Sequence, residues 1–344
     1  MPTSRRSPSR RSPARATVKS ISEAAGVAPS TVSRALNDDP RISAKTRQLI
    51  ANIARTAHYV PNGHARSLIT RRSGVIALMV GELTNPFYPE LMRLLTRRTS
   101  ERGLQLMLLP IGPGEFDAAM LRTMREYGVD GCIVAAATLS TRAADALAEI
   151  GVPTVMLNRS GRGHASAVWC NNEAGGAAIA HYLYAQGHRR VGYVAGRNET
   201  SDRERGLRRG LAEFGLSLAR REVGNYTHDA GAEIGARLAA EGFGVDAIVG
   251  ANDIIALGVI DGIRRAGARV PEDVSVMGFD DIEIASWASY ALTTIAQPMP
   301  LMVERALDLI VARIADPSLP AEEIYLQGSL RLRGSVRAIA MAGA

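Results

Sequence analysis

The chain has little that would tie it to a membrane, a metal or an oxidising compartment. Only two of its 344 residues are cysteines, Cys132 and Cys170, and both sit in apolar stretches. That usage suits buried free thiols better than a disulfide framework or a thiolate metal site. No apolar run is long enough to span a bilayer. The N-terminus opens Met-Pro-Thr-Ser-Arg-Arg and stays polar. It lacks the charged-then-apolar pattern of a secretory signal, so the expected compartment is the cytoplasm. The six histidines, at 58, 64, 164, 181, 188 and 228, show no ligand spacing. Missing too are a Gly-x-Gly-x-x-Gly after a strand, a phosphate-loop Gly-Lys-Ser/Thr, a Gly-x-Ser-x-Gly elbow and a His-Glu-x-x-His pair. These absences disfavour an enzyme and give no cofactor or metal to expect.

What is present is charge, unevenly placed. Residues 1–72 hold 14 Lys and Arg against three acids, Glu23, Asp38 and Asp39, whereas the remaining chain has 27 basic and 31 acidic residues. A basic head on a mildly acidic body points to a polyanion partner for one end only. Residues 1–16 are Ser, Pro and Arg with almost no apolar content and read as a disordered basic tail.

Residues 17–61 read as three short helices. Thr17 can cap the first, with Val18, Ile21 and Ala25 inward. Gly26-Val27 turns the chain. Pro29 fits the first position of a second helix, where its missing N–H costs nothing, and Val32 and Leu36 face inward. Asn37-Asp38-Asp39-Pro40 stops it. Ser43 caps a third helix to about Ala57, with Leu49, Ile50 and Ile53 toward the core. A tight turn between two short helices is what a helix-turn-helix needs to lay the second in the major groove of double-stranded DNA. Arg34 could hold a guanine through two hydrogen bonds. Thr31, Ser33, Asn37, Ser43 and Thr46 are short donors near helix starts, suited to phosphate oxygens, as is Thr17.

From Gly74 the pattern becomes α/β. Val75–Val80 is a continuously apolar run, as in a buried parallel strand. Strands are expected at 104–109, 131–135, 153–156, 191–195, 247–249 and 274–277, with helices between them, a helix near 299–314 and terminal strands near 323–334. This reads as two doubly wound units in tandem.

Residues 17–72, with Val-Pro-Asn at 60–62 and Ala-Arg-Ser-Leu at 65–68, closely resemble the head and hinge of the lactose/galactose repressor family, and the likeness continues to about residue 337. The resemblance implies an all-α helix-turn-helix head joined to a two-subdomain, periplasmic-binding-protein-like (type I) sensor domain. It places base reading at Pro29, Ser30 and Arg34. Proline at the first of these, and Ala28 in place of a hydroxyl cap, depart from the family's usual pattern. It implies a hinge over 62–73 that turns helical on DNA, with Leu68 as a wedge between base steps and Asn62 and Arg66 in the groove. The sensor would span 74–337, with an N-subdomain of about 74–169 and 297–325 and a C-subdomain of about 170–296 and 326–337. Residues 338–344 form a short tail, too short for an appended heptad helix, so a homodimer rather than a tetramer is expected. Effector contacts are implied at Phe87, Tyr88, Asn158, Trp169, Arg203 (in an Arg-x-x-Gly with Gly206), Asn252 and Asp280, for a sugar-like small molecule. Asn252 could equally be a helix cap. Asp253 and Asp281 read as structural braces.

Overall fold

The computed structural model describes residues 16–59, 72–81, 83–111, 118–135, 146–159 and 164–338. The three hinge positions Asn62, Arg66 and Leu68 lie outside these residues, as does most of the basic tail. The chain divides into two compact units, Met1–Ser73 and Gly74–Ala344.

The first unit is built on α1 (Val18–Ala25), α2 (Pro29–Leu36) and α3 (Ala44–Thr56). Thr17 opens α1 with a reciprocal cap. Its hydroxyl accepts from the Ser20 N–H at 3.2 Å, and the Ser20 hydroxyl accepts from the Thr17 N–H at 2.9 Å. Gly26, at φ +65°, ends the helix in the left-handed conformation that glycine adopts without a Cβ penalty. α2 begins at Pro29 with no side-chain cap from Ala28. The Ser43 hydroxyl caps α3 by accepting from the Thr46 N–H. Ile21, Val32, Ala35, Ile50 and Ala54 form the small core, with Val18, Ala25, Leu36 and Ile53 half-buried around it. Leu49, expected inward, is instead 48% exposed. The buried line of α3 runs through Ile50, Ile53 and Ala54, and residue 49 stands a helical step off that stripe.

Among the described residues, the second unit holds two six-stranded sheets. The first contains β1 (Val75–Val80), β2 (Gln105–Pro110), β3 (Gly131–Ala135), β4 (Thr154–Leu157), β5 (Ser166–Cys170) and β11 (Glu323–Leu326), in the order β11-β5-β4-β3-β1-β2. The second contains β6 (Val191–Ala195), β7 (Arg220–Val223), β8 (Ala247–Gly250), β9 (Ser275–Asp280), β10 (Thr293–Ala296) and β12 (Ser329–Arg331), in the order β12-β10-β9-β8-β6-β7. Each repeats the same doubly wound order in parallel register, and only β12 runs antiparallel, against β10. The helices between are α4 (Phe87–Glu101), α5 (Ala118–Glu126), α6 (Asn172–Ala185), α7 (Asp202–Ala212), α8 (His228–Ala240), α9 (Asp253–Arg265) and α10 (Met299–Ala315). The chain passes from one sheet to the other three times: after β5, between β10 and α10, and between β11 and β12.

Three strands were not expected: β5, β7 and β10. β1 and β3 are buried almost end to end, which is why their sequences are unbroken apolar runs. Cys132 and Cys170 are free and buried. No helix among the described residues is long and apolar enough to cross a membrane.

Candidate functional site

On the head, Pro29, Ser30, Arg34 and Asn37 are exposed along α2, while Thr31 and Ser33 are half-buried. Ser30 and Arg34 are one turn apart and share a face. Several of the polar side chains expected to meet phosphates are already engaged. The Asn37 amide donates to Ser33 O at 2.9 Å, the Ser43 and Thr46 hydroxyls bond each other at 2.8 Å, and Thr17 is occupied in its cap. The loop between α2 and α3 is pinned by the Asp39–Arg41 ion pair at 2.6 Å and by Arg47 donating to Asp39 O. The Arg41 hydrogen bonds hold the Asp39 carboxyl well below the usual carboxylate range.

In the body, a cavity of about 510 Å³ opens at the carboxyl ends of the parallel strands of both sheets. Open parallel sheets bind ligands at this edge. Phe87, Tyr88, Asn158, Trp169, Arg203, Asn252 and Asp280 all line it. The structure thus brings together seven positions spread over nearly 200 residues of sequence. It adds Arg197, Asn225 and Tyr226, which sequence reasoning missed. An aromatic just past β7 was the signal for Tyr226, unread because β7 was.

Arg203 is the most constrained group. Its guanidinium donates to Asn172 Oδ1 (2.9 Å) and Ala251 O (2.7 Å), pairs with Asp280 (2.9 Å) and lies 3.9 Å above the Phe279 ring. Of its five N–H groups, two remain for a ligand. Its place depends on glycine. A Cβ on Gly206 would fall 2.0 Å from Glu173 O, and one on Gly176 would fall 2.2 Å from Arg203 O. α6 and α7 therefore touch backbone to backbone, and that contact sets Arg203 beside Asn172. Asp280 also accepts from the Gln297 amide at 2.7 Å, and burial pushes its carboxyl upward against the pull of Arg203.

Beneath this pair lies Asp253, fully buried. It accepts from the Thr294 hydroxyl (2.6 Å) and the Ile282 N–H (2.9 Å), bracing the chain just after Asp280. Burial first, and the charge of Asp280 second, push its carboxyl up to about 7. Asn252 accepts from the Ile255 N–H at 3.1 Å, so it does cap α9.

The cavity walls hold strained backbone and unsatisfied polar atoms. Asn158, Asn225, Tyr226 and Asp280 have φ values of +62°, +47°, +58° and +128°. Such strain persists where surrounding structure fixes it, often at ligand clamps. Asn158 Oδ1 and Trp169 Nε1 are buried with no hydrogen-bond partner among the described residues. Buried polar atoms are ordinarily hydrogen-bonded, so an unpaired acceptor and an unpaired donor at one cavity describe a polar ligand. Phe87 and Tyr88 meet edge to face at 5.5 Å. Among the described residues, no group of three His, Cys, Asp or Glu side chains is placed to hold a metal.

Two family models match this chain: that of the bacterial regulatory proteins of the lacI family over residues 17–62, and that of the periplasmic binding protein-like domain over 180–336. The ribose operon repressor of Escherichia coli (strain K12) is 32% identical over 93% of this chain and 99% of its own length. The chain belongs to the LacI family. This LacI-family chain therefore joins a helix-turn-helix head to a periplasmic-binding-protein-like body, and the family's members are transcriptional regulators rather than enzymes. Its fold is similar to that of the lac repressor dimer bound to operator and the anti-inducer ONPF, with a TM-score of 0.83 and 25% identity over 94% of this chain and 99% of that one. It is similar also to the CelR–cellobiose complex, with a TM-score of 0.68 and 30% identity over 93% of this chain and 100% of that one.

Proposed function

We propose that this LacI-family regulator is a cytoplasmic homodimeric repressor that binds a palindromic operator, one recognition helix to each half-site. A sugar-like effector held in the body's cavity sets its operator affinity. Pro29, Ser30 and Arg34 read bases. Thr17, Thr31, Ser33, Asn37, Ser43 and Thr46 meet the DNA backbone; where their side chains are committed to caps, the free N–H groups of helix starts supply the contact. Asn62, Arg66 and Leu68 enter the minor groove. The effector lies among Phe87, Tyr88, Asn158, Trp169, Arg203, Asn252 and Asp280, between lobes of about 74–169 with 297–325 and about 170–296 with 326–337. By linkage it changes operator affinity only as far as it prefers one arrangement of those lobes.

The observation that carries this reading is the cavity itself: two unpaired buried polar atoms beside aromatic rings and a fixed Arg203–Asp280 pair. Aromatic faces and paired hydrogen-bonding groups are the chemistry of a sugar site. The relatives named for ribose and cellobiose support the same class.

Two measurements test the proposal. Selection of genomic fragments by the purified protein should enrich short palindromes, and Arg34→Ala should weaken that binding by ~1–3 kcal/mol while retaining non-specific, salt-sensitive affinity. Trp169 is one of only two tryptophans. In a Trp287→Phe background its fluorescence should report sugars entering the cavity and should shift when operator is added. Equal, sequence-blind binding by wild type and Arg34→Ala would refute the operator reading.

A further inference from the structure

Arginines outnumber carboxylates along the cavity lining, which has three arginines, Arg159, Arg197 and Arg203, and two aspartates, Asp202 and Asp280. Asp280 is held by Arg203. Asp202 is held by Arg205, which does not line the cavity. Among the described residues, no carboxylate forms an ion pair with Arg197. Glu199, two residues further on, is exposed and does not line the cavity.

Arg197 is also mounted on a rigid base. Its loop follows β6 and is tied from β7 by Arg221, which donates to Arg197 O at 3.0 Å and Asn198 O at 2.9 Å. Arg221 is in turn held by Glu204, whose fully buried carboxylate accepts from Arg221 (3.0 and 3.1 Å) and from Arg208 (2.7 Å). On the inner side, Gly196 lets the Tyr226 ring pass so close that a Cβ there would fall 2.0 Å from it. A surface arginine on a free loop samples many positions. One whose backbone is clamped keeps its charge within one side-chain length of the cavity mouth, which lowers the cost of ordering it on a ligand.

Resting on the reading of this cavity as an effector site, we infer that the effector is an anionic sugar derivative, its carboxylate or phosphate received by Arg197 at the mouth while its hydroxylated ring lies against Arg203, Asp280 and the aromatic wall. The guanidinium fork suits either anion. A neutral sugar would leave Arg197 without a partner.

The test is titration calorimetry of the full-length protein with matched neutral and charged probes: ribose against ribose 5-phosphate, and glucose against glucose 6-phosphate and gluconate. At least one anion should bind tenfold or more tightly than its neutral parent, and the preference should shrink as salt is raised. Arg197→Gln should reduce the preference below about threefold while leaving the neutral parent's affinity unchanged, and Arg197→Lys should restore part of it. Neutral parents binding as tightly as the anions, or an Arg197→Gln variant that keeps the preference, would overturn the charge assignment and leave the sugar site standing. If no probe of either kind binds or alters Trp169 fluorescence, the sugar-like effector reading falls and this inference falls with it.

Discussion

The head and the body solve opposite problems. The head presents its working groups outward: Pro29, Ser30 and Arg34 stand exposed on one short helix over a core of five buried residues. The body draws its working groups inward. Arg203 and Asp280 come from separate elements and meet at the cavity, with Asp253 fully buried beneath them, and burial shifts both acids upward. An exposed face can meet a long, solvated polyanion and needs only one correctly turned helix. An enclosed site must desolvate a small ligand and so needs charges that are already paired. Local order serves the first task, and long-range order serves the second.

The sharpest way to break this comparison is to remove the cation that makes the body's site tolerable. In mildly alkaline buffer, Arg203→Ala should cost the body ~3–5 kcal/mol, because Asp280 would stay buried with its partner gone. The head should be unaffected: non-specific DNA binding should persist while sugar binding disappears. Adding Asp280→Asn to the same variant should recover much of the lost stability, and in acid the single variant should recover too as Asp280 takes up a proton. Denaturant unfolding of each variant measures this. An Arg203→Ala body as stable as wild type would mean that the pair carries no such burden.

The same contrast explains what could be read in the sequence. The helices of the head fell within a residue or so of their observed bounds because each has a local signal: Thr17 and Ser43 as caps, Pro29 at a first turn, Gly26 as a stop. Leu49 went wrong because which face of α3 is buried is settled by α1 and α2, not by α3 alone. In the body, the apolar strands were legible, whereas β7, reading Arg-Arg-Glu-Val on a sheet edge and only half-buried, carried no apolar run to find. β10, four residues with two threonines, was too short to stand out. Missing β7 hid the loop after it, and with that Asn225 and Tyr226. The seven cavity residues were found through family resemblance; no spacing in the sequence announces that Asn158 and Asp280 share a wall.

Acid should separate the two regions by sign. Asp253, pushed up to about 7 from 3.8, holds its proton longer in the folded body than in the unfolded chain. The folded body therefore binds more protons between about pH 4 and about pH 7, and this group's contribution to stability falls as pH rises through that window. Asp39 in the head is the reverse. Its carboxyl is lowered, so its contribution is present above about pH 4 and is lost as pH falls below that. Asp253→Asn should flatten the body's pH slope, by an amount on the order of 2–4 kcal/mol across the window. Because the Arg41 that pairs with Asp39 is 74% exposed and solvent screens the pair, the head's slope should be shallow and opposite. Unfolding followed across pH, with Trp169 reporting the body and operator binding the head, resolves the two. Parallel slopes in both regions would contradict the assignment of Asp253 as the titrating brace.

The smallest effect compares one piece of chemistry in two settings. Thr17 and Asn252 each cap a helix with a side-chain oxygen that accepts a backbone N–H, at 3.2 and 3.1 Å. Thr17 is exposed, whereas Asn252 is 2% exposed. In Thr17→Ala, water can replace the lost acceptor, and the head should lose ~1 kcal/mol. In Asn252→Ala, the Ile255 N–H is stranded in the buried floor of the cavity, and the body should lose a further ~1 kcal/mol beyond the cap itself. A difference of ~1 kcal/mol between the two losses is only about fivefold in an equilibrium constant, so paired denaturant curves are needed to see it. Equal losses would mean that water reaches the floor of the cavity, and the desolvation on which the upward shifts of Asp253 and Asp280 depend would then be weaker than their burial implies.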